Sequence, residues 1–261
     1  MGSADMMKHH ILILGGTSEA RALAGQLGAH EDHAVTLSLA GRTANPVAQP
    51  VPVRVGGFGG AEGLARYLKA EGVSLLIDAT HPFAAQISRN AAQAAKQAGV
   101  PLIALRRPAW QQTAGDYWTL VDSVAEAVDA LGQKPRRVMV ALGRQELAPF
   151  EAAPQHSYLI RSVDPVAPPL GVPDARYILA RGPFEQADET KLLEANGIDA
   201  IVSKNSGGAA AYGKIAAARA LGLEVVMIAR PALPDVPSAG SVDEAVMQVD
   251  HVLASPAKRG V

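Results

Sequence analysis

Ile11-Leu-Ile-Leu-Gly-Gly16 and Val138-Met-Val-Ala-Leu-Gly143 are the two stretches whose reading decides the fold. Each is a short apolar run that ends in glycine, and the first passes through Thr17-Ser18 into a helix pattern reaching residue 27. Such a run, bounded by glycine and followed by helical spacing, reads as a buried parallel strand feeding a helix. Outward from it, residues 35–39 and 51–55 read as strands, and Gly56-Gly-Phe-Gly-Gly60 as a turn or a wall beside an adenine. Residues 61–70 read as helix, 73–77 as strand, 83–98 as an Ala-rich helix and 101–105 as strand. Strand and helix in alternation predict an α/β fold with a parallel sheet.

The second stretch opens a repeat of this rhythm. Gly16 aligns with Gly143, Phe58 with Phe184, and Gly72 with Gly197. Gly99 and Pro108 align with Gly222 and Pro231, and Ser123-Val-Ala-Glu-Ala-Val128 with Ser241-Val-Asp-Glu-Ala-Val246. The offset shrinks along the chain, as a duplicated unit with small deletions requires. The expectation is two Rossmann-like parallel-sheet domains related by internal duplication, residues 1–133 and 134–261, joined near Gly132-Gln-Lys-Pro135. Ligands of open α/β sheets sit beyond the carboxyl ends of the strands, so one cleft is expected between the domains.

Bulk composition narrows the chemistry. The 261 residues are 48% hydrophobic and 19% charged, enough for sizeable cores and against global disorder. A net charge of -1 gives no basic excess for nucleic acid, so none is expected as a partner. The absence of cysteine excludes disulfides, thiolate zinc, iron–sulfur clusters and a Cys nucleophile. His81, His156 and His251 show no metal-ligand spacing, and no metal is expected. No apolar run approaches a membrane span and residues 1–10 lack a signal-peptide core, so a cytoplasmic protein without membrane partners is expected. The sequence assigns no oligomeric state.

Two groups of residues point to ligands. Gly15-Gly16-Thr17-Ser18 joins a strand to a helix, where glycines admit phosphate to backbone N–H groups at the positive end of the helix dipole. It is not Gly-x-Gly-x-x-Gly, and a plain helix cap, with Ser18 as the capping residue, stays open. Arg42-Thr43 lies just past the second strand, where an Arg suits the 2′-phosphate of NADP; a solvated surface Arg is the alternative. Thr80-His81-Pro82 ends the fourth strand and could border a nicotinamide, with His81 either a general acid or a loop residue fixed before proline. Glycines and Arg42 together favour NADPH as cofactor.

The second half has Gly143-Arg144-Gln145 where the first has its glycine loop, and an Arg there suits a carboxylate better than a pyrophosphate. Ser203-Lys204-Asn205-Ser206-Gly207-Gly208 precedes a second Ala-rich helix and reads as an anion nest at its start, with Lys204 and Ser206 as donors. Arg144, Gln145, Lys204, Asn205, Ser206 and Gly207 are therefore the candidate ligands of a polycarboxylate substrate. Trp110, Tyr117 and Trp118 could stack on a flat ring or serve domain packing. No P-loop and no nucleophile elbow is present.

At these residues the chain resembles the precorrin-6A reductases of cobalamin biosynthesis. The likeness rests on Leu14-Gly-Gly-Thr-Ser-Glu-Ala-Arg21, Asp78-Ala-Thr-His-Pro-Phe-Ala-Ala-Gln-Ile-Ser88, Gly143-Arg-Gln-Glu-Leu-Ala-Pro-Phe150, Arg181-Gly-Pro-Phe184 and Ser203-Lys-Asn-Ser-Gly-Gly208. It implies hydride transfer from NADPH to C19 of the precorrin-6A macrocycle, a flat ring rich in carboxylates, giving precorrin-6B. No residue is assigned as proton donor. Enzymes acting on the cobalt-containing substrate belong to the same family, and a non-catalytic NADP-binding sensor is a rival from another class. The sensor would share the first-half motifs without needing Lys204.

Overall fold

A computed structural model describes residues 8–41 and 47–254. Along the chain run β1 (His9–Leu14), α1 (Ser18–Gly28), β2 (His33–Leu39), β3 (Val53–Val55), α2 (Gly60–Ala70), β4 (Leu75–Asp78), α3 (Ala85–Ala98) and β5 (Leu102–Leu105). Then follow β6 (Tyr117–Val121), α4 (Val124–Ala130), β7 (Arg137–Ala141), β8 (Ser157–Ser162), β9 (Ala175–Leu179), α5 (Gln186–Ala195) and β10 (Ala200–Lys204). The remaining elements are α6 (Gly213–Leu221), β11 (Glu224–Ile228), β12 (Ser238–Ala239) and α7 (Val242–Ala254).

The strands form two six-stranded sheets, ordered β12-β5-β4-β1-β2-β3 and β6-β11-β10-β7-β8-β9. Every pairing in both is parallel. Superposing the orders puts β1 on β7, β4 on β10 and β12 on β6, so the two halves share one topology.

The division between the halves is not at residues 133/134, where the sequence places it. One compact unit is the chain up to Arg107 together with the chain from Ala232; the other is Pro108–Pro231. The last βα unit of each half has been exchanged. β6 follows the first half in sequence, but pairs with β11 from Tyr117 opposite Glu224 to Val121 opposite Ile228. β12 follows the second half, yet the Ala104 N–H donates to Pro237 and the Arg106 N–H to Ala239, each at 2.8 Å. Packing fixes the same choice: Trp118 joins the core of the second unit, while Ala245 and Val249 of α7 are fully buried in the first.

Alternation along β1 shows how the first sheet buries both faces. Ile11 and Ile13 meet Leu23 and Leu27 of α1 and the apolar side of α7. Leu12 and Leu14 meet Leu64 and Leu68 of α2 and Ala91 and Ala95 of α3. The second unit repeats this around Met139, Ile201, Ile215 and Met227. One difference bears on function. Where α1 follows β1, β7 is followed by only two short 3-10 turns, Arg144–Glu146 and Ala148–Ala152. Among the described residues no helix is long and apolar enough to cross a membrane.

Candidate cofactor and substrate sites

In the first unit the carboxyl ends of β1 and β4 lie side by side, Leu14 opposite Asp78. The structure thereby brings Gly15-Gly16-Thr17-Ser18 and Thr80-His81-Pro82 together. The two glycines do different work. A Cβ on Gly15 would stand 2.5 Å from Leu37 Cδ1, so Gly15 allows the turn to press against β2. Gly16 has φ +123°, a conformation that side chains avoid, and nothing lies within 4 Å of where its Cβ would be. That open backbone beside the start of α1 is a cradle a phosphate group fits.

Thr17, rather than Ser18, caps the helix: its Oγ1 accepts the Ala20 N–H at 3.0 Å and donates to the Ala79 carbonyl at 2.9 Å. The same bond pins the start of α1 to the end of β4. The Ser18 hydroxyl donates at 3.0 Å to Glu19 Oε2, which also takes a 2.6 Å ion pair from Arg107. Arg107 escaped the sequence reading, although its position two residues past β5 was a signal. Its charge offsets the Glu19 carboxylate at a helix end that otherwise favours anions.

Thr80 is committed to the turn, since its N–H and hydroxyl both donate to the buried carboxylate of Asp78, at 3.2 and 2.7 Å. The His81 Nδ1 accepts the Phe83 N–H at 3.3 Å, which leaves the proton of a neutral ring on Nε2. Pro82 is buried behind it. Arg42 and Thr43 lie outside the described residues.

In the second unit, β7 and β10 run side by side with Ala141 opposite Ser203. Arg144 and Gln145, exposed on the first 3-10 turn, and Lys204 therefore share one edge. Lys204 is ion-paired with Glu146 of that turn, a partner the sequence reading missed even though Glu146 lies inside the quoted motif. Asn205 brackets the backbone of Trp110. The Trp110 indole N–H donates to the Gly208 carbonyl at 2.9 Å. Ser206 is buried, and its carbonyl accepts from Arg230 at 3.0 Å.

Gly207, at φ +67°, passes so close to the Pro108 carbonyl and the Arg230 guanidinium that any Cβ would collide with both. The expected nest at a helix start is corrected, because α6 begins only at Gly213, after a turn. Asn205 and Gly207 hold the incoming chain at Pro108–Trp110. Of the three aromatics, Trp110 and Trp118 pack in this core and Tyr117 is exposed.

A charged cluster lies against Trp110, with the Lys214 ammonium 4.9 Å from the centre of its ring. Lys214 in the first turn of α6 is buried, and that burial, reinforced by Arg161, pushes its ammonium down to about 7 despite the opposing pull of Glu189. Arg161 and Glu189 form an ion pair that is itself buried. Among the described residues no group of three His, Asp or Glu could hold a metal ion.

Residues 10–252 match the family described as precorrin-6x reductase CbiJ/CobK. The chain is 61% identical to a precorrin-6A reductase of a Sinorhizobium species over 97% of both chains. It is 44% identical to a precorrin-6A reductase of Mycobacterium tuberculosis over 92% of this chain and 96% of the other. A cobalt-precorrin-6A reductase of Priestia megaterium is 30% identical over 94% of this chain and 98% of the other. Among solved structures, a CobK precorrin-6A reductase is 50% identical and superposes with a TM-score of 0.90 over 97% of this chain and all of that one.

Proposed function

Because the chain belongs to the precorrin-6x reductase CbiJ/CobK family, we propose that it reduces precorrin-6A to precorrin-6B with NADPH, the first unit holding the cofactor and the second the macrocycle. The observation that carries this reading is the likeness to precorrin-6A reductases along almost the whole chain, at about twice the identity found for a cobalt-precorrin-6A reductase.

Gly15 and Gly16, with the first turn of α1, fit a pyrophosphate, and Arg42 and Thr43 fit the 2′-phosphate that distinguishes NADPH from NADH. The Thr80-His81-Pro82 turn borders the nicotinamide. The bound nicotinamide supplies the hydride, which the family resemblance directs to C19. Arg144, Gln145 and Lys204 orient the carboxylates of the macrocycle, while Asn205, Ser206 and Gly207 shape the loop that carries Lys204. The protein's contribution is placement and charge, since the redox chemistry belongs to the cofactor. A cytoplasmic location is part of the same reading.

The test is anaerobic turnover of precorrin-6A, followed by loss of NADPH absorbance and formation of precorrin-6B. NADPH binding without turnover of either tetrapyrrole would favour the sensor reading. Faster turnover of cobalt-precorrin-6A would move the chain to the cobalt-dependent branch.

A further inference from the structure

The buried charges of the second unit are not used by the reading above. Lys214 is 4% exposed. Its ammonium donates to the Ala211 carbonyl at 2.8 Å and stands 4.9 Å from the centre of the Trp110 ring. Two charged groups from other elements face it, Arg161 from β8 and Glu189 from α5. Those two are paired with each other, and Arg161 also stacks 3.8 Å over the Phe184 ring. The second oxygen of Glu189, Oε2, is buried without a hydrogen-bond partner.

With Lys214 neutral the cluster balances, one cation against one anion. With Lys214 protonated it carries one excess positive charge in a dry place, which is costly unless another anion is near. All three groups lie towards the carboxyl edge of the sheet: Arg161 next to last in β8, Glu189 and Lys214 in the opening turns of α5 and α6. Trp110 joins them to the loop above, because Asn205 and Gly208 hold its backbone and indole.

We propose that Lys214 is a positioning residue that takes up a proton when the polycarboxylate macrocycle binds at the loop 204–208, its ammonium becoming the buried countercharge for the substrate. This rests on the substrate assigned above. As a general scale, one negative charge about ten ångströms from an ammonium favours its protonation by about one pH unit at an effective dielectric of about 20. Because burial holds the substrate-free group at about 7, that rise changes its protonation most just above neutral pH. The uptake is about half a proton near pH 7.5 for a rise of about one unit, and it fades at about two units to either side.

The experiment is calorimetric titration of the full chain with precorrin-6A and NADP+, near pH 7.5, in two buffers of different ionisation enthalpy. Wild type is expected to take up about half a proton more than Lys214→Met, and the variant's KM for precorrin-6A should lose its rise with pH while its NADPH affinity is unchanged. Equal uptake by both proteins overturns the proposal. If Lys214→Met does not fold, wild type measured across pH decides alone: uptake without a maximum between about 6 and 9 overturns it. Absence of any binding heat with precorrin-6A in wild type defeats the substrate reading and this proposal with it, and is distinct from binding without proton uptake, which defeats the proposal alone.

Discussion

The side chain of Asn205 holds the backbone of Trp110 at both ends, accepting its N–H at 2.8 Å and donating to its carbonyl at 2.9 Å. Asn205→Ala breaks both bonds in a half-buried place and is expected to lower the unfolding free energy by about 2 kcal/mol. Asn205→Asp keeps the acceptor and loses the donor, so it should recover part of its stability as the new carboxyl protonates in mild acid. Chemical denaturation at two pH values reads both effects. A role for Asn205 confined to substrate contact would leave the unfolding midpoints unmoved.

Gly15 and Gly16 separate packing from binding. Gly15→Ala places a Cβ 2.5 Å from Leu37 Cδ1 and should cost about 1–3 kcal/mol of stability through the core. Gly16→Ala meets no atom, but requires φ +123° and fills the open space beside α1. It should lose about 1–2 kcal/mol to backbone strain and, in addition, weaken NADPH at least about tenfold. Nicotinamide fluorescence titrations beside thermal melts tell the two apart, and unchanged NADPH affinity in Gly16→Ala would remove the phosphate site.

Arg42→Ala tests the choice of cofactor. Loss of a guanidinium on a phosphate dianion should weaken NADPH by about 2 kcal/mol, roughly thirtyfold, and leave NADH nearly unchanged. Equal effects on the two cofactors would sink the assignment.

Glu146 competes for Lys204. Glu146→Gln removes a competing carboxylate beside the proposed substrate edge, so KM for precorrin-6A should fall severalfold with kcat little changed. The stability cost should stay within about 1 kcal/mol because the pair is partly solvated. A rise in KM would instead make Glu146 the holder that keeps Lys204 in place.

Lys214 makes stability depend on pH with a defined sign. Burial holds its folded ammonium at about 7, far below the 10.5 of a free lysine. Between those values the unfolded chain binds more protons than the folded one, so stability rises with pH across that window. Below about 7 both forms are protonated and the full cost of burial is present. The difference in unfolding free energy between Lys214→Met and wild type should therefore favour the variant at neutral pH. It should shrink towards pH 10 by up to about 1.4 kcal/mol per pH unit. Urea titrations along a pH series measure it, and a flat difference would mean that Lys214 stays charged or finds water.

Much of this was legible locally. Ile11-Leu-Ile-Leu-Gly-Gly16 and Val138-Met-Val-Ala-Leu-Gly143 announced two parallel-sheet units, because a strand buried on both faces must be apolar throughout and must end where a turn begins. The glycine turn, the Thr80-His81-Pro82 turn and the Lys204 edge were legible for the same reason: each is a short stretch whose residue types suit one backbone task. The exchange of β6–α4 for β12–α7 was not, since a βα unit has the same pattern whichever sheet it completes. Pro108 and Pro231, aligned in the repeat, stood at the two crossing points without saying that the chain crosses there.

What the sequence by itself determined is the period and order of the elements, and the kinds of group placed at strand ends, because these follow from local propensity and burial. Only the tertiary structure decided which sheet each last strand joins. It also showed that Thr17 ties the start of α1 to the Ala79 carbonyl, that Asn205 serves Trp110, and that Lys214 lies buried beside Arg161 and Glu189. Those outcomes depend on contacts between residues as far apart in sequence as Trp110 and Asn205, and no local pattern encodes a partner at that distance.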